Sequence, residues 1–106
     1  MTHVRIFLRC INAGETAPLC FDVAIDRRKA VCGNWLIFGL QGESGDDWYP
    51  FVCRHDGVID FGCERENRWG RTNLRALRVA VGSKVSVWDV ENREFVFVID
   101  DISSFT

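Results

Sequence analysis

Proline is scarce in this sequence. Pro18 and Pro50 are the two prolines among 106 residues, so most of the backbone is free to donate hydrogen bonds to a sheet. Long apolar runs are absent too. Stretches such as Val96-Phe97-Val98-Ile99 are far too short to cross a bilayer as a helix, and no membrane association is expected. No repeat, low-complexity tract or linker interrupts the chain, so residues 1–106 are expected to form a single small β domain. Positive charge is not in excess. The net charge of −2 argues against a general nucleic-acid binder, which is normally basic overall. The start, Met1-Thr2-His3-Val4-Arg5, enters directly into a strand pattern and resembles no signal peptide. With an odd number of cysteines, five, this suggests reduced thiols in a cytoplasmic setting.

What is present is apolar and aromatic. The chain is 47% hydrophobic and carries four Trp, eight Phe and one Tyr. A chain this short buries roughly two thirds of its unfolded surface, and large rings help by burying much area per residue. Val4, Ile6, Leu8 and Cys10 alternate with His3, Arg5, Phe7 and Arg9, the period of a half-buried strand. Residues 20–25 alternate likewise after a loop at 11–18, and Asp26-Arg27-Arg28-Lys29 is a polar turn. Ala30 to Leu40 reads as a strand or pair of strands bent at Gly33. Its middle, Trp35-Leu36-Ile37-Phe38, is apolar on both faces and suggests a covered position. Trp48 to His55 and Val58 to Glu64 flank Asp56-Gly57, a strong hairpin signal. Residues 72–81 could form a short helix with Leu74, Leu77 and Val81 on one face, or an extended segment.

The end of the chain is a closing hairpin, Lys84 to Val90 and Glu94 to Ile102, with Asn92 suited to left-handed backbone. Six or seven strands joined by short turns imply a mainly β fold, a small antiparallel barrel or sandwich. Gly82-Ser-Lys-Val-Ser-Val-Trp88 followed by Phe95-Val-Phe-Val-Ile99 resembles the closing strands of many SH3-like barrels. That resemblance implies a barrel and carries no functional motif.

Three groups of residues hold possible chemistry. The first is Cys53, His55, Asp60 and Cys63. Zinc sites commonly use C-x₂₋₄-C pairs, and none exists here. A two-residue turn at Asp56-Gly57 would place Cys53 opposite Asp60 and Pro50 opposite Cys63, putting the two thiols on opposite faces. No metal or cofactor is expected. The same register would set Cys53, His55 and Asp60 on one face, the residue types of a nucleophilic group in a small enzyme or ligand binder.

The second group is the run Arg65, Arg68, Arg71, Arg75 and Arg78 around Trp69, opposed between 65 and 84 only by Glu66. Arginine recognises phosphate and stacks on rings, so this segment could bind nucleic acid with a base stacked on Trp69. The reading favoured over this is a solvated face paired with Asp89, Glu91, Glu94, Asp100 and Asp101. The third group is the glycine-rich acidic loop that leads through Asp46 and Asp47 into Trp48, Tyr49 and Phe51. Its carboxylates would repel phosphate, whereas its rings suit a protein partner. The reading these features favour is a non-catalytic interaction domain that binds a protein partner or itself, with nucleic-acid binding as the alternative.

Overall fold

Period-two alternation becomes strand in nearly every place where it occurs. The structure, a computed structural model, describes residues 1–14, 16–33, 36–42, 48–62 and 69–105. The strands are β1 (Thr2–Cys10), β2 (Leu19–Ile25), β3 (Val31–Cys32), β4 (Ile37–Gly42), β5 (Trp48–Cys53), β6 (Ile59–Asp60), β7 (Trp69–Thr72), β8 (Lys84–Asp89) and β9 (Glu94–Ser104). Eight of them form one antiparallel path in the order β6-β5-β4-β2-β1-β9-β8-β7, and β3 pairs with the end of β2. The fold is thus a mainly β, nearly closed antiparallel barrel. It has more strands than the six or seven expected, because residues 30–40 divide into β3 and β4 and because Trp69–Thr72, embedded among arginines, is itself a strand.

β1 lies between β2 and β9. One extra residue in β9 keeps the β1–β9 pairing in phase: Phe7 faces Asp101 while Leu8 faces Ile99, leaving Asp100 as a bulge. The apolar side of β9 therefore stays inward on both sides of the Asp100-Asp101 pair, with Phe97 and Ile99 buried and Ile102 packed against the core. Inside the barrel, Phe21 and Phe51 meet edge to face, with ring centroids 5.3 Å apart. Their strands are separated by β4, where Gly39 pairs with both. A Cβ at Gly39 would run into the Phe51 ring, so this position must lack a side chain.

Trp69 fills the other half of the core. It is fully buried and packs against Phe95 and Phe97 at 5.1 and 5.7 Å. Residues 73–83 cross one end of the barrel. A single 3₁₀ turn, Leu74–Ala76, is all the helix they form. The chain then runs extended, with the Val79 N–H donating to the Lys29 carbonyl at 2.7 Å. Leu74 and Val79 are buried while Val81 is exposed, so the helical face expected for Leu74, Leu77 and Val81 does not exist.

Three hairpins share one geometry. In each, one backbone bond closes a three-residue loop, from the N–H of Asp26, Arg54 or Asp89 to the carbonyl of Ala30, Val58 or Arg93, and a second runs from the N–H of the third loop residue back to the carbonyl of that leading residue. The third loop residue is left-handed in all three: Lys29 (φ 66°), Gly57 (φ 89°) and Asn92 (φ 65°). This is a tight turn followed by a one-residue bulge. In two of them the leading aspartate caps the loop. The Asp26 carboxylate accepts the N–H groups of Arg28 and Ala30, and the Asp89 carboxylate those of Glu91 and Arg93.

The Arg54–Val58 loop does more than reverse the chain. Its Gly57 carbonyl accepts the Thr72 N–H at 2.9 Å, and Val58 bridges to Arg71. That contact joins the two ends of the sheet. A Cβ on Gly57 would sit 2.6 Å from the Thr72 carbonyl oxygen, on backbone already at positive φ. Gly57→Ala is expected to cost roughly 2–3 kcal/mol. Lys29→Gly, at the corresponding left-handed position of a loop whose carbonyl also receives a backbone N–H, from Val79, is expected to stabilise by about 1 kcal/mol. Urea unfolding of the two variants tests both signs.

The carboxyl of Asp89 is held below its ordinary 3.8, first by the Arg93 backbone N–H and then by the Arg93 side chain, against the opposing effect of burial. Its stabilisation is complete above the unfolded carboxylate range and is lost as pH falls through the depressed folded value. Asp89→Asn should lower stability at neutral pH and flatten the acid limb of a stability profile measured from pH 7 downward.

Candidate functional site

Cross-strand partners share a face, so the ladders map the outside of the barrel directly. One row runs Phe7, Cys20, Leu40, Pro50 across β1, β2, β4 and β5. The next runs Arg5, Asp22, Phe38, Val52, Asp60. A third pairs Gly42 with Trp48. The outward side of β4 and β5 is therefore apolar, and its large members are open to solvent: Phe38 is 45% exposed, Trp48 42% and neighbouring Leu36 52%. The covered position expected for residues 35–38 holds only for Ile37, which points inward; Trp35 lies outside the described residues.

Among the described residues, two charged pairs sit on this face. Arg5 grips Asp22 through two hydrogen bonds of 2.7 and 2.9 Å, and its guanidinium also lies 5.5 Å from the centre of the Phe105 ring. Arg54 donates to Asp60 at 2.6 Å. The Gly62 N–H and then Arg54 hold the Asp60 carboxyl below its ordinary 3.8, so it is ionised at neutral pH. Between them, at the β5–β6 margin, opens a cavity of about 260 Å³ lined by Phe38, Pro50, Val52, Asp60 and Phe61 among others.

Of the residues expected to contact a partner, Trp48 is exposed on this face. Tyr49 is half-buried and Phe51 is core, 3% exposed, because odd-numbered positions of β5 point inward. Asp46 and Asp47 lie outside the described residues, as do Arg65 and Arg68. Trp69 has no exposed ring face on which a base could stack. The described arginines of that run point to separate tasks. Arg71 lies 3.9 Å over the Trp88 ring and donates to the Asn92 side chain. Arg75 donates to the carbonyls of Arg54 and Cys53. Arg78 is exposed beside its bridge to Ala30. Of the acids of the closing hairpin, Asp89 and Glu91 pair with Arg93 and Asp100 with Arg9, while Glu94 accepts from the Ser86 hydroxyl.

The three-residue loop also changes the register expected for β5 and β6. Cys53 faces Ile59 and Val52 faces Asp60, one step from the pairing that a two-residue turn would give. Cys53 therefore points into the core while Asp60 points out to Arg54, and exposed His55 sits in the loop itself. These three residues do not share a face and form no nucleophilic group. Without the two-residue turn, strand parity no longer separates Cys53 from Cys63, and Cys63 lies outside the described residues. Among the described residues no group of three or more His, Cys, Asp or Glu side chains could hold a metal ion. None of their helices is long and apolar enough to cross a membrane.

Burial pushes the Cys53 thiol up to about 11, and the Cys20 thiol likewise. At pH 8 roughly one such thiol in a thousand is the reactive thiolate. Cys10 and Cys32 are free and half-buried. Alkylation of the folded protein at pH 8 should modify Cys10 and Cys32 long before Cys20 and Cys53, and mass mapping should show the difference vanish in denaturant. Compared with known protein families, with curated proteins and with solved structures, the chain shows no match.

Proposed function

We propose that this protein is a non-catalytic interaction domain that binds a protein partner, or itself, through the outer face of β4 and β5. The observation that carries the reading is the apolar exterior of that face, with Phe38 and Trp48 each more than two fifths exposed. A barrel strand has its inner side covered by the core, but none of the described elements forms a second layer outside it. Clustered large apolar side chains in water mark interaction surfaces, and aromatic anchors dominate the energetics of such contacts. The barrel interior, by contrast, is filled by side chains such as Phe21, Phe51, Trp69 and Phe97, which favours a binding role for the exterior.

Site-specific photocrosslinking tests the face whatever the partner is. A crosslinker at Leu40, on this face, should give discrete protein adducts in cells. One at Ser86, on the outer side of β8, should not. Phe38→Asp should abolish the adducts from position 40 with little loss of stability, since Phe38 is exposed. Equal adducts from both positions, or none from either, would remove the proposal.

A further inference from the structure

We infer that one end of the barrel docks on an anionic lipid surface. Neighbouring strands run antiparallel. With β3 and β4 taken together along one edge of β2, successive connections therefore fall at alternate ends. Residues 26–30, 54–58 and 73–83 lie at one end, with the start of β1 and the last residues of β9. These three connections carry six cations, Arg27, Arg28, Lys29, Arg54, Arg75 and Arg78, against two acids, Asp26 and Asp56. Both acids are turned to backbone: Asp26 accepts the N–H groups of Arg28 and Ala30, and Asp56 that of Val58. The segments that join strands at the other end, 11–18, 43–47, 61–68 and 90–93, carry seven acids and three arginines. A chain of net charge −2 thus has a strongly basic end.

Four of the cations form one cluster. The Val79 N–H donates to the Lys29 carbonyl and Ala30 bridges to Arg78, so backbone contacts lock the Arg27-Arg28-Lys29 loop beside Arg78. All four side chains are exposed, and none makes a salt bridge among the described residues. Beyond Arg78 the Ser83 N–H donates to the Ala80 carbonyl, closing a tight turn that carries Val81 at its tip, 65% exposed. The Gly82 N–H ties this turn to the Ile99 carbonyl of β9. There Asp100 pairs with Arg9, which leaves Asp101 as one acid against four cations. An anionic lipid surface suits the arrangement: the cations meet headgroups while an aliphatic tip enters the interface. Val81 favours lipid over nucleic acid, whose phosphates offer an aliphatic side chain no contact. The Phe105 ring at this end already has the Arg5 guanidinium 5.5 Å from its centre, so it is no open platform for a base. Docking of this kind needs no spanning segment and is compatible with the lack of long apolar runs.

The test is co-sedimentation of the full chain with large vesicles, either of phosphatidylcholine alone or with about one third phosphatidylserine. The wild type should bind only the anionic vesicles and leave them as salt rises toward about 0.5 M. Each Lys or Arg beside such a surface strengthens binding roughly fivefold, so Arg28→Gln should weaken it about fivefold, and Arg27→Gln with Arg28→Gln about twenty-five-fold. Arg93→Gln, at the opposite end, should change it less than about twofold. Val81→Ser should weaken it at least about threefold without altering its salt dependence. Each variant should keep the far-ultraviolet spectrum of the wild type, since the substituted side chains are exposed. Equal binding to both kinds of vesicle, or none to either, would overturn the inference. So would a double variant or a Val81→Ser protein that binds like the wild type, or an Arg93→Gln protein weakened as much as Arg28→Gln. Binding to oligodeoxythymidylate more tightly than to the anionic vesicles would assign the end to nucleic acid and overturn it as well. This end is distinct from the outer face of β4 and β5, so vesicle binding and the adducts from position 40 succeed or fail independently.

Discussion

The hydrogen bond from Thr72 to the Gly57 carbonyl is the constraint on which the barrel depends. Each end of the sheet is a short strand: two residues of β6 at one end and four of β7 at the other. A strand that short has little pairing of its own, and unpaired edges invite misassociation. Closure brings both ends together at the one loop whose third residue has no Cβ, so the Thr72 backbone can approach it. Around that seam the interior fills from both sides, with Phe21 and Phe51 packed across Gly39 and Trp69 against Phe95 and Phe97.

Much of this architecture is legible in the residues. Alternation locates β1, β2, β8 and β9, and Asp56-Gly57 and Asn92 mark two of the three hairpins. What the residues do not reveal is the size of the central loop. Asp-Gly serves a two-residue turn as readily as the last two positions of a three-residue one, and the difference lies in which φ angles become positive. That one residue shifts the register by one step, which moves Asp60 from the side of Cys53 to the side of Val52. A site inferred from strand parity is only as good as the turn that sets it.

The candidate surface is half visible for a related reason. Trp48 stands out beside an acidic loop, and strand parity assigns Phe51 to the opposite face. Phe38 gives a signal that points the wrong way. A run that is apolar on both faces requires two covers, which suggests that the chain supplies both. In a barrel it supplies one. Trp69 misleads in the other direction: its arginine neighbours suggest a surface, while a bulge at Gly70, between the pairings of Trp69 with Asp89 and Arg71 with Trp88, lets the ring turn inward and Arg71 turn out.

The pairing of β1 with β9 also sets the order in which the molecule can be made. β1 leaves the ribosome well before residues 97–104, with which it forms half of its ladder, so the β1–β2 hairpin must wait, one edge bare, through the synthesis of everything between. At about 5–20 residues per second that wait lasts several seconds. During it the exposed edge carries Arg5 and Arg9, and Asp22 is available on β2 to hold Arg5 in place. The charged residues on β1 thus guard a nascent edge before they become part of a finished barrel.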